Sequence, residues 1–231
     1  KDAFEVAGRG ELQLAVLIEN MRREGFELSI SRPRVVMVED ENGNTLEPIE
    51  EIIVDVDEEH SGVVVEKLGM KKCEMKEMAP SGGGKTRLVF HGPARSMIGY
   101  INEFLTDTRG TGTLNRSFLE YQPFKGPLPG RIKGTLISMV TGKAVGYALF
   151  NLEDRGPLMV SPGDDIYEGM IIGEHNKGQD LEVNPLKSKQ LTNVRSTVAD
   201  EAIRLTTPMA MPLERALSYI ADDELVEVTP E

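Results

Sequence analysis

Twelve residues near the middle of the chain, PFKGPLPGRIKG at 123–134, hold three prolines and three glycines. Proline has no amide to give a helix or an inner strand, and glycine loses the most backbone entropy on becoming regular, so no single element runs through this stretch. A linker is predicted here, and the chain must close its apolar cores separately on either side. Its 231 residues are enough for two bodies that each bury a core.

Upstream of the linker, Leu14, Leu17, Ile18 and Met21 recur at i, i+3, i+4 and i+7, one face of a helix over 10–23 that Gly25 stops. FELSI alternates Phe26, Leu28 and Ile30, and VVMV follows Pro33; two strands joined by a Ser-Arg-Pro turn are predicted. Residues 1–47 thus read as a βαβ-type piece, not a whole domain. Residues 48–125 predict a strand through Ile52, Val54 and Val56, a helix through Val64 and Leu68, and a strand pair around APSGGGKT. A second helix over 94–107 places Met97, Ile98, Ile101, Phe104 and Leu105 on one face, and TGTLNRSFLEY follows as a strand. That βαββαβ order is the ferredoxin-like plan, with both helices on one face of the sheet. Beyond the linker, GTLISMV, KAVGYALFNL and MIIGE predict short strands of a small barrel or sandwich. MPLERALSYI predicts a helix near Pro212 with Leu213, Ala216, Leu217 and Ile220 on one face, and ELVEV a last strand. The fold class is α+β, with a β-rich, barrel-like domain and terminal helix over 126–231.

A formal net charge of -12 excludes a body coated in cations, but screening confines each charge to about 8 Å at physiological salt, so a local basic surface is compatible with it. One cysteine, Cys73, allows no internal disulfide framework and suits a reducing compartment. No apolar run reaches the length of a membrane span and no signal peptide is visible, so a soluble cytoplasmic protein is expected. The chain opens on Lys1 and not on Met, as expected of a piece of a longer protein. His60, His91 and His175 have no partners at metal spacing and read as surface or loop residues. No metal is expected. Without a nucleophile elbow no catalytic residue is nominated, and the eleven methionines read as core filler before partner groove.

APSGGGKT fits a relaxed phosphate-loop pattern ending in Lys85 and Thr86, yet TRLVFHGP continues as a strand, where a working loop needs a helix opening at Lys-Thr. A glycine-rich hairpin turn is the expectation. GRGEL at 8–12 reads as a tight turn with glycine at positive φ before an anion site. Charge is unevenly spread. Between 108 and 152 the one acid is Glu120, against Arg109, Arg116, Lys125, Arg131, Lys133 and Lys143. From 183 to 199 there is none, while Lys187, Lys189 and Arg195 stand among amides and hydroxyls that include Asn184 and Asn193. Cations mixed with such groups suit phosphate and 2′-hydroxyl contacts; an ordinary solvated loop is the alternative. The candidate RNA contacts are therefore Lys187, Lys189, Arg195, Asn184 and Asn193, then Arg131 and Lys133.

Several stretches carry a family resemblance. VAGRGELQLAVLIENMRREGFELSISRPRVV resembles the end of the third domain of elongation factor G and, more closely, of the TypA/BipA family of translational GTPases. VDVDEEHSGVVVEKLGMKKCEM and HGPARSMIGYINEFLTDTRGTGTL are similar to the two halves of those factors' fifth domain. GKAVGYALFNLEDRG, YEGMIIGEHNKGQDLEVNPLKSKQLTNVRS and DDELVEVTP resemble the C-terminal domain peculiar to TypA/BipA. The resemblance implies a partial third domain over 1–47, a fifth domain over 48–125 and the family-specific domain over 126–231. It implies a ribosome-associated GTPase, here without its nucleotide-binding and second domains, so that GTP and magnesium are expected on those domains and no cofactor or GTP hydrolysis here. It places the fifth domain near the GTPase-associated centre and sarcin–ricin region of large-subunit RNA, with His60 and Arg109 at element ends as further contacts. It sets the loop at 184–196 against tRNA and ribosomal RNA. A monomer acting in ribosome assembly or translation under stress is implied. Two rivals stand beside it: a nucleotide-binding enzyme using Lys85 and Thr86, and an acidic scaffold for a basic protein partner.

Overall fold

The structure, a computed structural model, describes residues 3–188 and 204–230. Its backbone separates into two compact units, Lys1–Gly130 with Pro212–Glu231, and Arg131–Met211. The first cut falls inside the Pro/Gly stretch.

The first unit begins with α1 (Glu11–Arg23), β1 (Leu28–Ser31) and β2 (Val38–Glu39). There follow β3 (Thr45–Asp57), α2 (Glu58–Met70), β4 (Glu74–Gly82), β5 (Lys85–Pro93), a 3-10 turn (Ala94–Met97), α3 (Tyr100–Asp107) and β6 (Thr113–Pro123). From β3 to β6 this is the βαββαβ order. The strands form an antiparallel sheet in the order β4, β5, β3, β6, with β2 beside the start of β3. Period-two alternation aims Ile52, Val54 and Val56 of β3 at one face, and the register sets Ile52 opposite Phe90 and Val54 opposite Leu88. Val64 and Leu68 of α2 and Tyr100 and Phe104 of α3, each pair at i, i+4, cover that face and complete the core. Each large apolar side chain fully buried there contributes about 1.5–3 kcal/mol.

The helix expected over 94–107 is interrupted. Gly99 sits at φ 74 between the 3-10 turn and α3, and a Cβ there would lie 2.1 Å from Cβ of Ser218. The turn rephases the segment, so Met97, Tyr100 and Phe104 are buried, while Ile101 and Leu105 remain 43% and 42% exposed.

In the second unit come β7 (Thr135–Ser138), β8 (Gly142–Lys143), α4 (Gly146–Leu152), a 3-10 turn (Glu153–Arg155), β9 (Asp165–Ile166), β10 (Ile171–Glu174) and β11 (Leu181–Val183). Its described residues make an open sheet, β10–β7–β11, with β11 parallel to β7, and a separate β8–β9 ribbon. This corrects the barrel or sandwich expectation. Most of KAVGYALFNL winds into α4, because Leu149 and Leu152 fall at helical spacing and pack on the core of Leu136, Leu158 and Ile172. Among the described residues too few strands are left to close a barrel.

The last elements, α5 (Leu213–Tyr219) and β12 (Leu225–Val228), belong to the first unit. The sequence grouped them with 126–231; their packing partners are instead α1 and β1. β12 pairs antiparallel with β1, from Leu28 opposite Val228 to Ser31 opposite Leu225, and Ile18, Leu217 and Val228 close a small core. The two strands expected from FELSI and VVMV are present but shorter and not joined by a tight turn: of VVMV only Val38 lies in a strand, and it pairs with Leu46. The pairing groups of β1 are taken by a strand almost two hundred residues later. Among the described residues no helix is long and apolar enough to cross a membrane.

Candidate nucleic-acid interface

Three connections meet at one end of the large sheet. The β4–β5 turn uses Gly82, Gly83 and Gly84 at φ 87, 62 and 76, a run of left-handed positions that only glycine occupies without strain. Glu58 N donates to the Gly84 carbonyl at 3.2 Å, Lys85 Nζ to the Thr111 carbonyl at 2.9 Å, and Thr111 Oγ1 to Asp57 Oδ2 at 2.6 Å. Arg109, at φ 51 after α3, is exposed at this end, and His60 sits in the first turn of α2. The fold therefore brings His60 and Arg109 to one end of the sheet.

Their exposure differs. His60 is buried, in step with Val64 and Leu68 on the inner face of α2, and its Nε2 lies 3.3 Å from Glu59 Oε1. His175 is buried too, its Nδ1 2.6 Å from the Gln179 carbonyl, which requires the proton on Nδ1. Both correct the expectation of surface histidines. His91 is half-buried, 3.4 Å from Glu51. The glycine-rich turn runs straight into β5, Lys85 is committed to Thr111, and Thr86 is buried. No helix opens at Lys-Thr, so this turn lacks the converging amides and dipole of a phosphate site. The expected tight turn in GRGEL also differs: Gly10 is extended at φ 174, and the Glu11 carboxylate accepts from Gly99 N at 2.9 Å.

The acid-poor stretch at 108–152 is acid-poor only along the sequence. Arg116 lies 3.8 Å from Glu50 and 4.0 Å from Glu11, Arg131 4.0 Å from Asp180, Lys133 2.7 Å from Glu174, and Lys143 2.8 Å from Asp165. Arg131 Nε also donates to the Lys133 carbonyl at 3.0 Å. Folding thus supplies a carboxylate to each of these four cations.

Of the loop residues, Asn184 Oδ1 accepts from Leu186 N at 2.9 Å, an Asx turn, and Val145 N donates to the Pro185 carbonyl at 2.9 Å. Leu186 packs beside the second core, directly over Gly142. Lys187 follows, exposed and without an ion pair among the described residues. Lys189, Asn193 and Arg195 lie outside the described residues.

Sequence reading missed a polar clamp. Glu47 is fully buried, with Arg95 Nε at 2.5 Å from Oε2 and Nη2 at 3.3 Å from Oε1. Lys125 N donates to Glu47 Oε1 at 2.8 Å, Arg95 Nη2 to the Gly126 carbonyl at 2.6 Å, and the guanidinium lies 4.5 Å from the Phe124 ring centre. The start of the Pro/Gly linker is thereby fixed through Gly126. A signal existed: Glu47 shares the buried phase of β3 with Ile49. The methionines depart from expectation as well. Only Met97 is buried, and Met70, Met75, Met78 and Met139 are exposed. Among the described residues no group of His, Cys, Asp or Glu is placed to hold a metal ion. Burial raises the Cys73 thiol to about 11.

Comparison with known proteins places this geometry. Residues 44–132 match the family model of the elongation factor G C-terminus, and residues 133–231 that of the TypA/BipA C-terminal domain. The two matches meet within three residues of the break between the compact units. Over 231 residues the chain is 52% identical to the large ribosomal subunit assembly factor BipA of Haemophilus influenzae, covering all of this chain and 37% of that protein. The Bacillus subtilis protein of the same name is 50% identical over 231 residues, with 38% of its length covered, and that of Synechocystis 49% over 230 residues, with 38% covered. The chain spans little more than a third of the length of these relatives. With half of its residues shared along its whole length and the family's own terminal domain matched over 133–231, the chain belongs to the TypA/BipA family.

Proposed function

We propose that this chain is the ribosome-binding C-terminal part of a translational GTPase that serves large-subunit assembly. The observation that carries this reading is end-to-end similarity to proteins named large ribosomal subunit assembly factor BipA. In this reading residues 1–47 complete a third domain, 48–125 form the ferredoxin-like fifth domain and 126–231 supply the family-specific surface. GTP and magnesium bind on domains outside this sequence, and their occupancy selects the conformation in which these surfaces reach the ribosome. The chain itself hydrolyses nothing. It works in the cytoplasm as a monomer and supplies shape and local positive charge.

Large-subunit RNA near the GTPase-associated centre and tRNA are the proposed polynucleotide partners. Lys187, Lys189 and Arg195 carry the phosphate contacts, with Asn184 and Asn193 beside them. The ammonium of Lys187, exposed and without an ion pair among the described residues, supports that assignment. Arg109 supports the sheet-end contact by its exposure, whereas His60 acts there only by shaping the α2 turn. Arg131 and Lys133 add less, because carboxylates already balance them.

Three phosphate contacts contribute a slope of about -2 to -3 in log affinity against log salt. The test is co-sedimentation of the chain with large-subunit precursors over a salt series. Replacing Lys187, Lys189 and Arg195 together with Ala is expected to weaken binding and remove that part of the slope. Binding unchanged at every salt concentration would return 184–196 to an ordinary solvated loop.

A further inference from the structure

The large sheet has two long edges, and they are built differently. β4 carries the devices that keep an edge single: Lys76 and Ser81 fall outside the register, Pro80 withholds an amide, and Glu74, Lys76 and Glu77 put charge along the strand. β6 has fewer of them. Its residues Thr113–Pro123 pair only with β3 among the described residues, its one proline is the last residue, and its one irregularity is at Leu119. Phe118, Leu119 and Tyr121 are 59%, 41% and 44% exposed, and the Phe118 and Tyr121 ring centres lie 5.3 Å apart. A long edge that shows exposed apolar side chains and no further strand among the described residues is a template for another extended chain.

Charge decides which chain. Arg116, the one cation of β6, already faces Glu50 and Glu11. Glu50, opposite Phe118 in the register, has a buried Oε2 with no hydrogen-bond partner, and Glu120 is exposed further along. Beside Leu114 and Arg116 opens a cavity of about 440 Å³ lined by Met97, Ile101, Leu217 and the acids Glu11 and Glu214. A polynucleotide meets repulsion from these carboxylates, and a second copy would bring another net charge of -12.

We propose that the free edge of β6 receives an extended, lysine- or arginine-rich segment of a protein partner, paired backbone to backbone. Apolar side chains of that segment alternate against Phe118, Tyr121 and the cavity, and its cations meet the exposed carboxylates Glu120 and Glu214. The proposal uses none of the residues assigned to RNA above and does not depend on that assignment.

The test uses the full chain and a peptide of alternating lysine and valine, read by amide hydrogen exchange. The peptide is expected to slow exchange in β6, at amides that β3 does not engage, and to leave β4 unchanged. N-methylation of every second peptide amide is expected to abolish this. Phe118→Ser with Tyr121→Ser, at exposed positions that leave the core intact, is expected to weaken binding at least about tenfold, or 1.4 kcal/mol. Glu120→Gln with Glu214→Gln is expected to weaken it for the lysine peptide but not for one with serine in place of lysine. Equal binding by the N-methylated peptide, protection at β4 in place of β6, or no binding would each overturn the proposal. So would stronger β6 protection by a short RNA strand, or by raising the concentration of the chain alone.

Discussion

A carboxylate with no exposed surface survives only because every oxygen is used. Glu47 is held by Arg95 and by Lys125 N, so removing its charge leaves a largely buried guanidinium uncompensated. Glu47→Ala is expected to cost about 3–5 kcal/mol in urea unfolding. It should also increase proteolysis around 124–130, because Arg95 and Glu47 help to fix Phe124 to Gly126, beside the bonds from Phe124 N to the Thr45 carbonyl and from Lys72 Nζ to the Lys125 carbonyl. Gly99 is a second constrained position. Gly99→Ala places a side chain at φ 74 and against Ser218, and a loss of about 1–3 kcal/mol is expected in the same measurement. Cys73 reports on both. Buried, with its thiol raised to about 11, it should resist alkylation at neutral pH in the native chain and react on unfolding. Alternation in the sequence places Glu47 on the buried side of β3, but the pattern carries no information about polar partners. Arg95 is 48 residues away and Lys125 is 78, and the second partner offers only its backbone.

At the scale of elements, periodicity was informative where packing is regular. Ile52, Val54 and Val56 alternate, Val64 and Leu68 recur at four, and the βαββαβ unit follows from them. It was uninformative for KAVGYALFNL, where a short apolar run fits a strand or a helix equally and only the core around Leu149 decides. It marked β12 as a strand but was blind to its partner, which is chosen by tertiary packing. A two-stranded sheet is marginal alone, so the β1–β12 pair depends on the small core of Ile18, Leu217 and Val228. Leu217→Ala is expected to remove protection from β1 and β12 amides while the β3–β5 ladder keeps its own, and to lower stability by about 2–5 kcal/mol. In the second unit Asp180 accepts from Thr135 N at 2.7 Å and Thr135 Oγ1 at 2.9 Å, and the backbone bond holds its carboxyl below the ordinary value of 3.8. A depressed value stabilises the folded state above the unfolded pKa, and that contribution is lost as pH falls through the folded one. Acid exposure below about pH 4 should therefore loosen the start of β7, and Asp180→Asn should flatten that dependence, as followed by Thr135 amide exchange.

For the whole molecule, the acid-poor stretch and the loop look alike as sequence but differ once folded. Distant carboxylates balance Arg116, Arg131, Lys133 and Lys143, while Lys187 keeps its charge to itself among the described residues. If polynucleotide meets this surface, the salt dependence of binding counts only cations that are free to release counterions, not all those in the sequence. That makes the pairing itself testable. Lys133 is half exposed, 53%, and its ammonium lies 2.7 Å from Glu174. Glu174→Gln keeps the shape and frees the ammonium. If Lys133 lies within reach of RNA, the variant should bind large-subunit precursors more tightly at low salt and add about 0.7–0.9 to the slope of log affinity against log salt. Adding Lys133→Ala to it should abolish both changes. A slope identical in wild type, single and double variant would put Lys133 away from polynucleotide and leave the salt dependence to Arg109 and the cations of 187–195.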